Sequence, residues 1–290
     1  RASWDADELS LYGRFDFILA KDGTPKILEF NADTPTSLLE ASVIQWQWKE
    51  DVFPECDQFN GIHEGLVQSW KDIFPKKGEI YFAGALENNE DTGTLQYLAS
   101  TAMEAGFSTR VLDMQALDLQ NGRFFDPAGE LVNRCFKLYP WEWMVDESPD
   151  GCLAEMEWLE PIWKLVMSNK AILATLYELF PDSPYVLPCY LSRPRSGLFC
   201  KKPVFSREGH NVSVVDIRDW EEYVRIAETE GDYNTGAYVY QEYVEPTVYS
   251  GRYPVIGSWI IGGEAAGIGI RENRMEVTDN LSEFVPHIIG

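Results

Sequence analysis

Two segments near the start of the chain alternate polar and apolar side chains. They run over residues 12–19 and 26–31, and residues 21–25, Lys-Asp-Gly-Thr-Pro, have the composition of a turn. This pattern predicts a β-hairpin. Further on, helical spacing of apolar residues predicts helices over 36–48 and 67–74.

The next part of the chain changes from strand to helix and back. An apolar strand is predicted over 80–86, an acidic loop over 87–91, a helix over 92–105 and a second strand over 107–112. This order predicts a small parallel α/β domain. The loop after its first strand is where such sheets place ligand-binding residues.

The second half of the chain is strand-rich. Residues 141–163, rich in Trp, Glu and Pro, fit no single element, whereas 168–180 has the pattern of an amphipathic helix that ends at Pro181. From Phe199 onward, strand-like runs alternate with Gly-containing turns, and 258–273 suggests a hairpin. The overall expectation is an α/β (α+β) protein.

Four polar residues of the first hairpin are candidates for metal chemistry. Side-chain alternation places Arg14 and Asp16 on one strand face, and Glu29 and Asn31 on one face of the next strand. Two carboxylates and an amide oxygen suit Mg²⁺, and an arginine beside them could hold a phosphate or an oxyanion. The hydroxyl-rich residues 32–37 that follow could cradle an anion. The alternative is an exposed polar sheet face.

Two later segments suggest anion-binding groups. Lys202 ends a strand, and a loop containing Gly209 leads to the next strand, so loop amides could cover nucleotide phosphates. The segment lacks the GxxxxGK[ST] pattern of a Walker loop, and an ordinary turn is the alternative. Arg271 lies at the end of the predicted 258–273 hairpin, where a surface arginine is the alternative.

Charge and cysteine content narrow the class of partner and compartment. The formal net charge of −23 repels nucleic acid and attracts cationic substrates such as polyamines. The five cysteines are dispersed without CxxC spacing, which argues against a zinc site or a disulfide framework and favours the cytoplasm. No signal peptide or long apolar run is evident, so no membrane association is expected. Because Arg1 is not an initiator Met, we expect a longer natural protein.

Six long motifs, in order, resemble the synthetase region of the glutathionylspermidine synthase family. They are RFDF, LEFNADTPTSLLEA, SNKAIL, KPVFSREGHNVS, YVYQEYVEP and GSWIIGGEAAGIGIREN. The resemblance covers nearly the whole chain. The FKLYPWEW and NADTPTSLLEA wording is similar to the shorter, synthetase-only acid–amine ligases of this family.

The resemblance implies a permuted ATP-grasp fold with an inserted pre-ATP-grasp-like α/β domain. Residues 1–77 would form the catalytic part with the metal ligands, 78–165 the inserted domain and 166–245 the nucleotide-binding lobe. Residues 246–290 would return to the catalytic part. The oligomeric state stays open.

The resemblance also implies roles for individual residues. Arg14 and Arg271 would stabilise the transition state, and Asp16, Glu29 and Asn31 would bind two Mg²⁺ ions. The residues expected to contact ATP are Arg14, Phe15, Asp16, Lys170, Lys202, Gly209, Gln241, Glu242, Tyr243, Val244, Glu276, Val277 and Thr278.

Substrate residues partly depart from the family pattern. Thr34-Pro35-Thr36 replaces a serine-rich stretch that holds the acid substrate in glutathionylspermidine synthase, so glutathione is not the expected acid. Thr34 and Thr36 remain the candidates for binding the acid. Glu90 and Asp91 fall near that enzyme's polyamine-binding acidic pair. The amidase half has no counterpart here, so product hydrolysis is not expected.

The expected function is therefore an ATP- and Mg²⁺-dependent ligase that joins a small-molecule or peptide carboxylate to an amine, with a polyamine as one candidate. Two alternatives stay open at this point. One is a catalytically silent module that binds peptides or polyamines, and the other is a small-molecule kinase. Amine-dependent release of ADP separates the ligase from the kinase.

Overall fold

The computed structural model describes residues 1–207, 209–219, 222–231, 233, 236–274 and 282–290. Its helices are α1 (Ala2–Asp5), α2 (Gln45–Val52), α3 (Ile62–Ile73), α4 (Asn89–Glu104), α5 (Trp141–Glu147), α6 (Pro149–Cys152), α7 (Lys164–Ser168) and α8 (Ile172–Leu179), with a π-helical segment (Glu40–Ile44) and a 3₁₀ turn (Met114–Ala116). Its strands are β1 (Tyr12–Leu19), β2 (Pro25–Asn31), β3 (Glu79–Gly84), β4 (Ser108–Asp113), β5 (Asp118–Gln120), β6 (Arg123–Phe125), β7 (Leu131–Val132), β8 (Arg134–Leu138), β9 (Glu157–Leu159), β10 (Cys189–Tyr190), β11 (Gly197–Pro203), β12 (Ser213–Ile217), β13 (Tyr223–Glu228), β14 (Tyr238–Glu242), β15 (Tyr253–Ile261), β16 (Glu264–Asn273) and β17 (Glu283–Val285).

The first sheet is antiparallel, with strand order β17-β16-β15-β1-β2. The predicted N-terminal hairpin is confirmed as β1 and β2. The predicted 258–273 hairpin is confirmed as β15 and β16, although both strands are longer than the pattern suggested. Gly262 and Gly263 form the turn between them with φ of +57° and +90°, a left-handed geometry that glycine adopts without steric cost.

The second sheet is parallel, in the order β4-β3-β8-β9. It confirms the predicted strand–helix–strand unit, here β3, α4 and β4. The expected acidic loop is shorter than predicted, because the Asn88 side chain accepts a hydrogen bond from the Glu90 amide and caps α4. Glu90 and Asp91 consequently lie in the first turn of α4. The unassigned 141–163 segment contains α5, α6 and β9.

The third sheet is antiparallel, in the order β10-β14-β11-β12-β13, and a small sheet is formed by β5, β6 and β7. The helix predicted over 168–180 is confirmed over 172–179 as α8, which ends just before Pro181. The helix starts four residues later than predicted. Between α7 and α8 the Lys170 amide donates to the Val204 carbonyl instead of to a carbonyl of a preceding helical turn. The helix predicted from residue 36 starts only after Ser37, whose φ of +64° is incompatible with a right-handed helix.

An aromatic core joins the first two sheets. The Trp70 ring on α3 packs edge-on against Phe82 and Phe136 at centroid distances of 5.6 and 6.3 Å, and Tyr12 lies 5.7 Å from Phe136 and 6.1 Å from Trp259. Side chains of the third sheet donate hydrogen bonds to backbone carbonyls of β2. The hairpin β1–β2 therefore lies between the other two large sheets. Among the described residues, no helix combines the length and apolar character needed to cross a membrane.

Candidate functional site

The four polar residues of the N-terminal hairpin meet on one face of the sheet. Arg14 pairs with Asn31 across β1 and β2, and Asp16 pairs with Glu29. Arg14 donates from Nε and Nη2 to the two Asp16 oxygens at 2.6 and 2.9 Å, and Asn31 Nδ2 lies 3.2 Å from Asp16 Oδ2. Arg14 is 4% exposed and Asp16 is 2% exposed, so the alternative of a solvated polar face is wrong.

Arg14 is held on several sides. Its Nη1 donates to the Thr36 carbonyl, and its guanidinium carbon lies 5.7 Å from the Trp259 ring centroid. A Cβ at Gly257 would lie 2.6 Å from Arg14 Cδ, so only glycine leaves room for this side chain. Burial acts to lower the pKa of Arg14, but the neighbouring Asp16 carboxylate outweighs it and raises the pKa, so the guanidinium stays charged.

Arg271 reaches the same carboxylate from β16. Its Nη2 donates to Asp16 Oδ2 at 2.8 Å, and its side chain is 20% exposed. The alternative of a surface arginine beyond the strand is therefore wrong. Asp16 therefore lies between two guanidinium groups. Asp16 holds these positively charged groups beside any anion that binds here.

Two lysines flank Glu29. Lys170 Nζ lies 2.8 Å from Glu29 Oε2 and donates to the Ser206 carbonyl at 2.7 Å. Burial would raise the pKa of Glu29, but the charges of Lys170 and Lys202 and the hydrogen bond from Lys170 lower it to about 2. Glu29 is therefore ionised at neutral pH.

Lys202 is buried at the end of β11. Its Nζ donates to Gln241 Oε1 at 2.7 Å and to the Leu28 carbonyl at 3.0 Å. Burial lowers the pKa of Lys202, since a low-dielectric environment disfavours the charged form. A bound anion would restore the pKa by stabilising the ammonium group.

A cleft between the first and third sheets collects residues from distant parts of the chain. It is lined by Asp16, Ile18, Leu28, Glu29, Lys170, Leu187, Cys200, Lys202, Gly209, Val212, Gln241, Glu242, Tyr243, Val244, Pro246 and Val255. The cleft thus contains the predicted Lys170, Lys202, Gly209 and Gln241–Val244 together with two of the three predicted metal ligands. Charged groups and apolar side chains share its walls, which suits a flat apolar group that carries a polyanionic tail.

The Gly-containing loop between β11 and β12 borders this cleft. Gly209 has a φ of +71°, and its carbonyl accepts a hydrogen bond from the Thr229 hydroxyl. The prediction that Lys202 ends a strand and that this loop leads into the next one is confirmed.

A smaller cavity of about 20 Å³ adjoins the hairpin and has room for one small polar group. Its lining comprises Asn31, Thr34, Glu142, Ser168, Lys170, Phe205, Ser206 and Arg207. Three of these oxygens, Glu142 Oε2, Ser168 Oγ and Ser206 Oγ, are buried and form no hydrogen bond with the described part of the protein. Buried polar groups usually have a partner, so this cavity is suited to a polar ligand or water.

Sequence reasoning did not select Glu142, Ser168, Ser206 or Arg207 as site residues. All four nevertheless lie within motifs that carried the family resemblance, FKLYPWEW, SNKAIL and KPVFSREGHNVS. Membership of these motifs was therefore the sequence signal that could have identified the four residues. No rule of residue spacing distinguished their side chains from those of their neighbours.

Other predicted residues stand apart from the cleft. The Phe15 ring stacks on Phe30 at a centroid distance of 4.0 Å, on the opposite strand face from Asp16, so only its backbone could reach a ligand in the cleft. Thr36 contributes its carbonyl to Arg14. Glu90 and Asp91, at the start of α4, line neither the cleft nor the smaller cavity. Glu276, Val277 and Thr278 lie outside the described residues.

The donor set on the hairpin fits a hard divalent cation. Asp16 and Glu29 provide carboxylates. Asn31 presents its Nδ2 to both of them, and turning this amide over would add its oxygen as a ligand. Mg²⁺ usually takes one or two carboxylates and completes its shell with water and phosphate. In the structure, arginine and lysine groups neutralise both carboxylates. These cations are also well placed to pair with phosphates.

Comparison with known proteins gives a consistent result. The family model described as "Glutathionylspermidine synthase preATP-grasp" matches residues 1–290. A provisionally named acid–amine ligase of Haemophilus influenzae is 39% identical over 98% of this chain and 76% of its own length. The bifunctional glutathionylspermidine synthetase/amidase of Escherichia coli is 26% identical over 100% of this chain and 51% of its own length. The chain thus spans about half of that longer relative.

A solved structure shares the fold. The crystal structure of a provisionally named gamma-glutamylcysteine synthetase from Methylobacillus flagellatus superposes with a TM-score of 0.66, covering 99% of this chain and 82% of its own. At 10% sequence identity, this likeness concerns the fold alone. It confirms the mixed α/β architecture of the chain.

Proposed function

The chain belongs to the glutathionylspermidine synthase family, and from that premise we propose that it is an ATP- and Mg²⁺-dependent ligase that joins a carboxylate to an amine. The substrate carboxylate attacks the γ-phosphorus of ATP and releases ADP. The amine then attacks the acyl phosphate, giving an amide and inorganic phosphate. One observation carries the proposal: Asp16, Glu29, Lys170, Lys202 and the 241–244 segment, far apart in sequence, line one cleft.

The proposed architecture is a permuted ATP-grasp fold. Residues 1–77 and 246–290 form its catalytic part, 166–245 its nucleotide-binding lobe, and 78–165 an inserted pre-ATP-grasp-like domain. Strand pairing supports this division, because β1 and β2 form one sheet with β15 to β17, whereas β3, β4, β8 and β9 form another.

We assign the nucleotide to the cleft between the first and third sheets. The adenine contacts the segment from Gln241 to Val244, and Lys170 and Lys202 pair with phosphate oxygens. The loop around Gly209 covers the phosphates. Asp16, Glu29 and Asn31 would hold Mg²⁺, which would neutralise phosphate charge when bound.

Arg14 and Arg271 act on the reacting groups. Both guanidinium groups are oriented by Asp16, so they are positioned before the substrate arrives. Preorganised donors of this kind stabilise charge that develops in a transition state. Phosphoryl transfer depends mainly on such positioning and charge neutralisation.

The carboxylate of the acid substrate is assigned to the cavity beside Asn31 and Thr34, which has room for one small polar group. The Ser168 and Ser206 hydroxyls, which the described protein leaves without hydrogen-bond partners, can donate to this carboxylate, and the cations Lys170 and Arg207 line the same cavity. The amine is assigned to the region of Glu90 and Asp91, whose negative charges suit an ammonium group. A cytoplasmic setting accords with the free cysteines of the chain.

The proposal is tested first by thermal stabilisation. A specific nucleotide site stabilises the folded state by about 2.7 kcal/mol at a ligand concentration of 100 Kd. We expect ATP with Mg²⁺ to raise the melting temperature of the native protein, and Asp16→Asn to remove the Mg²⁺-dependent part of that shift. Asp22→Asn, in the exposed β1–β2 turn, is the matched control and should keep the full shift.

A second measurement separates ligase from kinase. ADP release is followed over a panel of acids with and without amines that include spermidine. Release that requires both partners supports the ligase. Acid-dependent release that no amine alters indicates the kinase, and a native protein that ATP does not stabilise indicates the silent binding module.

A further inference from the structure

Asp33 and Lys137 form a buried ion pair that the proposed chemistry does not use. Lys137 Nζ lies 2.8 Å from Asp33 Oδ1, and the two residues are 0% and 1% exposed, respectively. Burying two charges is costly unless their hydrogen bonds are well satisfied. The pair joins the segment that follows β2 to strand β8.

The pair also fixes the start of α5 from two sides. Asp33 Oδ2 accepts a hydrogen bond of 2.8 Å from the Trp141 amide, and Lys137 Nζ donates to the Tyr139 carbonyl at 2.8 Å. The Lys137 ammonium lies 4.2 Å from the centroid of the Trp141 ring. The residues before and after Pro140 are therefore both hydrogen-bonded to the same ion pair.

The residue next to Trp141 holds the Gly-containing loop. Glu142 Oε1 accepts hydrogen bonds from Arg207 Nη2 at 2.6 Å and from Nε at 3.2 Å. Arg207 Nη1 donates to the hydroxyl of Thr34, the neighbour of Asp33. A closed circuit of contacts therefore runs from Asp33 through Trp141 and Glu142 to Arg207 and back through Thr34.

We propose that Asp33 and Lys137 are positioning residues that hold Glu142, and through it Arg207, so that residues 204–207 and 209–212 of this loop are fixed beside the nucleotide cleft. The inference rests on the proposed function in one respect, since that function makes this loop the cover of the ATP phosphates. Replacing the pair by neutral residues of similar size should release the loop. The core around Trp141 should persist, because its packing is largely apolar.

Limited digestion with trypsin tests this directly, because Arg207 is itself a cleavage site. The rate of cleavage after Arg207 is measured by mass spectrometry relative to cleavage after Arg195, which is exposed. The variants are Glu142→Gln, which removes the negative charge from the contact with Arg207, Asp33→Asn, and the neutral double variant Asp33→Asn/Lys137→Met. Each variant is digested at a temperature that lies the same number of degrees below its own melting temperature.

The matched control is Asp126→Asn. Asp126 is also a buried carboxylate of this region, and it bonds to Arg110 and Tyr81 instead of to the circuit. We expect the cleavage ratio to rise about tenfold in Glu142→Gln and in the double variant, the effect of losing one charge-assisted hydrogen bond. The ratio should be unchanged in the control.

Two results would overturn the inference. In one, the ratio rises in Glu142→Gln but stays native in both Asp33 variants, which would make the ion pair purely structural. In the other, the ratio is unchanged throughout or rises equally in Asp126→Asn.

Melting-temperature shifts with Mg²⁺ and ATP separate this inference from the proposed function. If the variants release the loop but ATP does not raise the melting temperature of the native protein, only the proposed function is refuted. If ATP does raise the melting temperature of the native protein but the loop of the double variant is cleaved at the native rate, only the inference is refuted.

Discussion

Arg271 donates a hydrogen bond of 2.8 Å to Asp16, although 255 positions separate the two residues in the chain. The strand between them, β15, presents Gly257 opposite Asp16 and therefore places no side chain over the contact. Because Arg14 bonds to the same carboxylate, two guanidinium groups are brought together by one acid.

Removal of Arg271 should damage turnover more than nucleotide binding. For Arg271→Ala we expect a loss of about 10²–10³-fold in kcat, equivalent to about 2.7–4 kcal/mol, by comparison with other oxyanion donors. ADP release under saturating substrates measures the effect. Arg218→Ala, at an exposed ion pair, is the control and should keep native turnover. Full activity in Arg271→Ala would refute the assigned role.

A methyl group at Gly257 should displace Arg14. The added Cβ would lie 2.6 Å from Arg14 Cδ, so Gly257→Ala should cost about 1–3 kcal/mol through overpacking and should also reduce kcat. Denaturant unfolding and ADP release measure the two effects. The control is Gly93→Ala in α4, where nothing lies within 4 Å of the new Cβ and a gain of about 0.5–1 kcal/mol is expected. Native turnover in Gly257→Ala would argue against a catalytic Arg14.

Glu29 should contribute to acid sensitivity. Its folded-state pKa is lowered to about 2 from 4.5, so its stabilising contribution is present above the unfolded-state pKa and is lost as pH falls toward 2. The free energy of unfolding of the native protein should therefore fall more steeply than that of Glu29→Gln as pH decreases from 4.5 to 2. Parallel curves for the two proteins over this interval would contradict the assigned ion pairs.

His287 should make a second, milder contribution nearer neutrality. Burial lowers the pKa of His287, whose ring is placed between the Phe59 amide at 3.2 Å and Gln45 Oε1 at 3.0 Å. A depressed folded-state pKa means that its contribution is complete above the unfolded value of about 6.5 and is lost as pH falls below it.

We therefore expect the stability advantage of native protein over His287→Gln to shrink between neutral and mildly acidic pH. Chemical denaturation at a series of pH values measures it. His210→Gln, in the Gly-containing loop, serves as the control. An advantage that grows on acidification would show that the protonated ring is the stabilised form.

Local patterns predicted the elements that bear the site with good success. Alternation in the hairpin placed Arg14, Asp16, Glu29 and Asn31 correctly, because the period of two is fixed by strand geometry itself. The helix predicted over 168–180 is present over 172–179, and its start was placed too early because the Lys170 amide bonds to Val204 instead of to a preceding helical turn. The start of α4 was misplaced because the Asn88 cap was not recognised.

The sequence alone determined which side chains face together within each strand, that Lys202 precedes a Gly-containing loop, and, through its motifs, the family. Only the tertiary structure decided that Arg271 reaches Asp16, that Glu142 holds Arg207 and that Asp33 is buried against Lys137. Side-chain periodicity is a property of the backbone over a few residues. Contacts between distant segments depend on how the sheets pack against one another, and no local pattern encodes that packing.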